Sequence, residues 1–279
     1  MIALLRLVAG EKEKNCRKNT VFIGECAKSL AKHFYVEGCS PEKKEIEKVL
    51  EGFFSNLNKG ADYMDEKNKN LKLLLEVGII PVVRADSSDR ALRVVEALLE
   101  GGINTIEIAM TIPGAIEVMR EVNSRLDKDV LLGAGTVLDS ETARLCILAG
   151  AKFVVGPCLN LEVLKTCKRY SVIAIPGAMT PTEILTAWET GADLVKVFPV
   201  SNLGGPSYIK AIKAPLPHVL LNPTGGVNLN NAKDFIKAGA AVISVGGSLV
   251  DKKALMEGRY QVITENAKKF VEEIKKGRS

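Results

Sequence analysis

The chain has 279 residues, 47% of them hydrophobic and 25% charged, which suits one large domain or a medium domain with a small addition. Its net charge of +5 is carried by interspersed Lys/Arg and Asp/Glu, so no basic stripe points to nucleic acid, and no apolar run approaches the length of a membrane span. The six cysteines, Cys16, Cys26, Cys39, Cys146, Cys158 and Cys167, show neither a CxxC pair nor another metal-ligand spacing, which fits free thiols in a reducing cytoplasm.

Residues 1–70 are rich in Lys, Glu and Asn and lack the short β-branched runs found later. The opening Met1–Gly10 is apolar, but too short and too uncharged at its start for a signal peptide. Phe22, Ile23, Cys26, Leu30 and Phe34 predict a helix from about Thr20 to Phe34. A second starts at Ser40, which can cap it; Pro41 fits its first turn, and Ile46, Val49, Leu50, Phe53, Phe54 and Leu57 form one apolar stripe that Gly60 can stop. Two such stripes need cover from each other, from the following domain, or from a second chain. Lys59–Asn70 is polar and reads as a linker or as the first turn of a further helix. Met64 could start everything downstream, so residues 1–63 read as an added helical segment and 64–279 as the main domain.

From Leu71 the pattern becomes strand, turn, helix, repeated. Strands are expected at Ile79–Arg84, Thr105–Met110, Val130–Gly133, Phe153–Val155, Val172–Ile175, Leu194–Phe198, Val219–Asn222 and Val242–Val245. Helices are expected at Asp89–Glu100, Ala115–Ser124, Ser140–Leu148, Leu161–Lys168, Pro181–Thr190, Ser207–Lys213, Leu229–Ala238 and Glu265–Lys276, several followed by a glycine stop. This alternation predicts an α/β protein, a small (β/α)8 TIM barrel preceded by a small α-helical segment. An open doubly wound sheet is the alternative, but its glycine-rich fingerprint after the first strand is missing.

Barrel enzymes carry their chemistry at the C-terminal ends of the strands. The ionisable groups in or at the end of otherwise apolar strands are Glu107 on the second, Lys196 on the sixth and Arg84 at the end of the first. A lysine in the run Gly191–Pro199 is costly to bury as a cation. Either its stem is buried and its head reaches water, or it is held as a neutral amine, which is a nucleophile. The three groups could equally satisfy one another as a buried network. Gly225-Gly226 after the seventh strand and Gly246-Gly247-Ser248 after the eighth favour a site, because glycine turns in these two loops can form nests for an anion.

The combination Ile106-Glu107, Gly133-Ala-Gly-Thr-Val137, Pro176-Gly177, Val195-Lys-Val-Phe-Pro199, Pro223-Thr-Gly-Gly226 and Gly246-Gly-Ser248 resembles the 2-keto-3-deoxy-6-phosphogluconate (KDPG) / 4-hydroxy-2-oxoglutarate aldolase family. The resemblance covers about Leu71 to Gly277, and residues 1–70 have no counterpart in it. It implies a class I aldolase acting on a phosphorylated keto acid, with Lys196 as the Schiff-base lysine and Glu107 as the general acid/base. The protonated imine is then the electron sink, so no metal or cofactor is needed. Arg84 and Thr136 would hold the pyruvyl carboxylate and neighbouring oxygens. Thr224, Gly225, Gly226, Gly247 and Ser248 would take the phosphate, while Phe198 and Pro157 wall the pocket. Relatives of this kind are trimers, so a homotrimer is implied as well. Thr111 stands where some members have arginine, which bears on how strongly phosphate or carboxylate is held. Cys158 reads as a packing residue, and His33, His218 and Trp188 as surface, packing or oligomer contacts. KDPG is the expected substrate, with 4-hydroxy-2-oxoglutarate as a second; the phosphogalactonate epimer is an alternative. Two readings of other classes remain: a barrel scaffold whose N-terminal helices bind a partner or another subunit, and a phosphate-binding barrel such as an isomerase, against which the mid-strand lysine argues.

Overall fold

In a computed structural model, residues 65–126 and 130–279 are described, and they lie in the unit Met64–Ser279. The two expected N-terminal helices, His33 and Cys16, Cys26 and Cys39 lie outside the described residues.

Short aliphatic runs form nine strands among the described residues: β1 (Ile79–Val83), β2 (Thr105–Ala109), β3 (Leu131–Gly135), β4 (Phe153–Val155), β5 (Ile173–Ile175), β6 (Gly177–Ala178), β7 (Val195–Val197), β8 (Leu221–Pro223) and β9 (Ile243–Val245). The helices are α1 (65–77), α2 (Ser88–Glu100), α3 (Ala115–Leu126), α4 (Ser140–Leu148), α5 (Leu161–Arg169), α6 (Pro181–Thr190), α7 (Pro206–Lys213), α8 (Ala232–Lys237), α9 (Lys252–Met256) and α10 (Tyr260–Arg278). Local chemistry sets their ends. Asp139 caps α4 by accepting the Thr142 N–H at 2.6 Å, and Thr180 and Glu183 form a reciprocal capping box with Pro181 in the first turn of α6. Gly191 ends α6 at φ 100°, a left-handed conformation that suits glycine.

All paired strands are parallel, in a six-stranded sheet ordered β5-β4-β3-β2-β1-β9 and a three-stranded sheet ordered β6-β7-β8. Only Pro176 separates β5 from β6, where one strand was expected to stop at Ile175; lacking an N–H, it cannot donate to the ladder. On the other side, the Thr224–Ser244 bridge and the Ala241 N–H to Leu221 carbonyl bond (3.0 Å) link β8 to β9. The protein is thus an α/β fold with a curled parallel sheet.

Alternation along the strands builds two cores. Ile106, Ile108, Leu132, Val154, Val195, Val197, Leu221 and Ile243 face outward and join the apolar faces of the helices. Ile80, Leu131, Phe153, Val155, Ile173, Ile175, Leu194 and Val242 face inward, with Leu74 of α1 among them. Helix α1 takes in residues 65–70 of the expected linker and lies across the N-terminal ends of the strands. Lys67 pairs with Asp193 just before β7, and Glu66 with Lys152 just before β4, each at 2.8 Å.

Three sequence expectations are corrected. The helix expected over Leu229–Ala238 shortens to α8, because Asn228 and Asn231 organise a turn ahead of it through the Asn228 N–H to Asn231 Oδ1 bond. The last helix starts at Tyr260 and is preceded by α9, capped by Asp251, which was not expected. Strand β3, expected to end at Gly133, continues to Gly135, and both glycines fit because neighbouring side chains fill the space in front of them.

Candidate active site

The alternation that sorts the two cores also directs two charged side chains. Glu107 lies between outward-facing Ile106 and Ile108, and Lys196 between outward-facing Val195 and Val197, so both point into the curled sheet. They are 1% and 5% exposed. Room for the carboxylate comes from the neighbouring strand. Glu107 pairs in register with Gly133, and a Cβ on Gly135 would lie 1.7 Å from Glu107 Oε1. Gly133 makes room for Phe153 in the same way, a Cβ there lying 2.1 Å from the ring.

Oε2 of Glu107 is buried without a hydrogen-bond partner. Burial is the largest influence on this carboxyl and pushes it above the usual carboxylate range; the positive charges of Lys196 and then Arg84 pull it the other way and are weaker. A carboxyl pushed up this way keeps a proton more readily than a free one, which suits an acid that gives and retakes a proton during a reaction. Lys196 Nζ stands 5.2 Å from the centroid of the Phe198 ring, so the amine points toward the C-terminal mouth of the strands.

At the mouth the strand ends supply an anion-friendly rim. Arg84, just past β1, was expected to point inward but is exposed; its guanidinium leans across to β9, with Nη1 only 3.4 Å from where a Cβ of Gly246 would be. Gly225 and Gly226 adopt left-handed backbone, φ 93° and 79°, open to few side chains. A Cβ on Gly225 would lie 3.4 Å from the Phe198 ring, and one on Gly226 would strike Ser201 at 2.5 Å. A Cβ on Gly247 would meet nothing within 4 Å, and Ser248 beside it is exposed. Thr224 is buried at the end of β8. Thr136, just past β3, has φ 60°, an uncommon conformation for a β-branched residue.

The structure thus joins Glu107, Lys196 and Arg84 electrostatically, and Lys196, Phe198 and Gly225 by contact. Thr136 and half-buried Pro157 stand on the same rim, at the ends of β3 and β4. Cys158, expected to pack, is exposed; its carbonyl does the packing instead, accepting the Gly177 N–H at 3.3 Å. Cys146 and Cys167 are buried free thiols, each pushed up to about 12 mainly by burial. His218 is exposed and meets half-buried Trp188 edge-on at 6.1 Å. Sequence reasoning missed Gly135 and Ser201 as parts of the site. The small residues spaced two apart in Gly133-Ala134-Gly135 were the available signal, since glycine inside a strand marks close approach by another group.

Residues 71–266 match the family model for KDPG and KHG aldolase. The 2-dehydro-3-deoxy-phosphogluconate aldolase of Treponema pallidum is 38% identical over 192 residues, covering 68% of this chain and 90% of the relative. The 2-dehydro-3-deoxy-6-phosphogalactonate aldolase of Escherichia coli is 34% identical over 172 residues, covering 61% and 83%. Among solved structures, the KDPG aldolase of Legionella pneumophila, with pyruvate captured as a covalent carbinolamine intermediate, aligns with a TM-score of 0.67 at 28% identity, covering 71% of this chain and 96% of that one. With its interior carboxyl and amine and its glycine rim, the chain belongs to the KDPG and KHG aldolase family, and it is a class I aldolase, a carbon–carbon lyase.

Proposed function

We propose that the enzyme cleaves 2-dehydro-3-deoxy-6-phosphogluconate to pyruvate and D-glyceraldehyde 3-phosphate, with Lys196 forming the Schiff base. The amine adds to the C2 ketone to give a carbinolamine, and Glu107 returns a proton so that water leaves and an imine forms. Glu107 then takes the C4-hydroxyl proton, the C3–C4 bond breaks, and its electron pair moves into the protonated imine, leaving an enamine. Glyceraldehyde 3-phosphate departs; the enamine is protonated at C3, and water releases pyruvate and the free lysine. Arg84 and Thr136 hold the carboxylate end. Thr224, Gly225, Gly226, Gly247 and Ser248 take the phosphate, and Pro157 and Phe198 form the walls.

The observation that carries this reading is a lysine and an unpartnered carboxyl buried together inside an otherwise apolar sheet. Borohydride added with pyruvate is expected to leave a stable adduct on the Lys196 peptide; no mass increase there, or full cleavage activity in Lys196→Ala, would sink the reading. The 34% identity to a phosphogalactonate aldolase supports a second reading with the C4 epimer as substrate, and kinetics on both epimers separate the two. Cleavage of 4-hydroxy-2-oxoglutarate, which lacks the phosphate, is expected as a side activity.

On this reading the two sheets are one eight-position (β/α)8 barrel, with β5 and β6 sharing a position. Residues 64–279 are the catalytic unit and 1–63 an addition with no part in the chemistry; the family match begins at residue 71. The helical character of 1–63 belongs to the same proposal. Exposed Leu145 and Leu148 on α4, beside exposed Leu138 and Leu161, favour assembly into a homotrimer, and the free thiols suit the cytoplasm.

A further inference from the structure

We propose that Asn222 and Ser244 are positioning residues for the phosphate end of the site, a buried side-chain clamp that holds the glycine loops after β8 and β9 at a working distance from each other. The inference rests on the proposed function and deepens it.

The two loops that form the anion rim leave strands that do not share a regular ladder. Strand β8 pairs with β7 in the three-stranded sheet and β9 with β1 in the six-stranded one; between β8 and β9 stand the Thr224–Ser244 bridge and, at the ends away from the loops, the Ala241 N–H to Leu221 carbonyl bond. Backbone pairing therefore does little to fix the gap between Gly225-Gly226 and Gly246-Gly247. Side chains span it instead. Asn222 Nδ2 donates to Ser244 Oγ at 3.0 Å, and Ser244 Oγ donates to Asn222 Oδ1 at 3.0 Å. Asn222 precedes Gly225 by three residues and Ser244 precedes Gly246 by two.

The pair is 0% and 1% exposed and projects into an interior that, Glu107 and Lys196 apart, is largely filled with Ile, Leu, Val and Phe. Apolar residues would fill that volume without having to satisfy an amide and a hydroxyl away from water. A polar pair earns its place there by direction, because its hydrogen bonds set a distance as dispersion contacts do not. Asn222 also stands in register with Lys196, so the clamp ties the phosphate loops to the strand that bears the amine. The polar groups of the two side chains are turned toward each other, so their effect passes through the loops.

The test compares wild type with Ser244→Ala, Ser244→Thr and the double variant Asn222→Leu/Ser244→Ala, which refills the volume with apolar atoms and keeps a folded comparison in hand. Titration calorimetry with inorganic phosphate reads the rim without turnover, and kinetics compare KDPG with 4-hydroxy-2-oxoglutarate. Loss of the clamp is expected to weaken phosphate binding and raise KM for KDPG by about 5–10-fold, the scale of one net hydrogen bond, with kcat and the kinetics of the unphosphorylated substrate unchanged. Ser244→Thr, which keeps the hydroxyl, is expected to restore both. Wild-type phosphate binding in the folded clamp-less variants, or equal loss on both substrates, would overturn the inference. If wild type binds phosphate but cleaves neither epimer, the proposed function fails while the calorimetry still judges the clamp; if wild type binds no phosphate, both fail.

Discussion

The two ends of the curled sheet differ in kind. At the N-terminal ends of the strands, Leu74 of α1 sits among Ile80, Leu131, Leu194 and Val242, and the polar groups there are paired, Lys67 with Asp193 and Glu66 with Lys152. At the C-terminal ends, a carboxyl oxygen lacks a partner, a threonine holds φ 60°, and glycines leave open space. The base has its own left-handed residue, Ser171 (φ 53°) just before β5, but among the described residues the one buried side-chain polar atom without a hydrogen-bond partner falls in the second region. The base is built for stability and the mouth carries strain and desolvation that the base must offset.

The sharpest way to break that contrast is to cut one interior side chain at each end. Lys196→Ala is expected to lower kcat by at least about 10⁴-fold with the fold intact, because the covalent route is lost. Leu74→Ala is expected to do the reverse, costing about 2–5 kcal/mol through lost burial and the cavity left behind, with kcat of the folded fraction unchanged. Denaturant unfolding and steady-state kinetics on both variants check the pair. Substantial loss of kcat in Leu74→Ala would mean that the base reaches into the chemistry.

Glu107→Gln probes the cost side of the mouth. Activity is expected to fall by about 10²–10⁴-fold, the range of general acid/base catalysis. The stability effect has a definite sign. The carboxyl of Glu107 is raised in the folded protein, so between its ordinary value near 4.5 and its folded value the native state holds a proton that the unfolded chain has released. That group's contribution is therefore neutral below the unfolded value and turns destabilising as pH rises above it. Glutamine removes the penalty, so the variant is expected to melt higher than wild type at neutral pH, with the gap closing toward pH 4. Melting curves at pH 4, 6 and 8 check this; a gap that widens toward acid would contradict it.

Much of this was legible in one dimension. Strict alternation placed Lys196 and Glu107 on the inward face, and Phe153–Val155, Ser140–Leu148 and Pro181–Thr190 fall where apolar periodicity and caps predict them. What sequence reading missed depends on partners distant along the chain. Gly135 looks like a turn until the Glu107 carboxyl is set before it, and Arg84 looks inward-facing until its side chain is seen crossing to Gly246. The break at Pro176 shows the opposite limit: its missing N–H is local and visible, but which ladder it interrupts is not. Gly135→Ala turns that lesson into a measurement. Its new Cβ would overlap Glu107 Oε1, so the carboxyl must move, and kcat is expected to fall about tenfold or more while stability changes by about 1–3 kcal/mol. Unchanged kcat would show that the carboxyl's position tolerates such a shift.

The smallest expected effect tests whether the base is only structural. Lys67 and Asp193 are largely buried, with side chains 12% and 15% exposed, and Asp193 also accepts the Ala174 N–H at 2.8 Å, so one carboxylate ties α1 to the strand ends on either side of α6. Lys67→Met keeps most of the aliphatic stem and removes the charge, leaving Asp193 its backbone bond but not its counter-ion. A partly buried carboxylate that loses its partner is worth more than a surface pair and less than a fully buried one, which points to a loss of about 1–3 kcal/mol. Neither kcat nor KM should move, since the pair stands at the strand ends away from the rim. A change in KM with stability preserved would mean that strain set at the base is felt at the mouth, and the division of labour between the two ends would have to be redrawn.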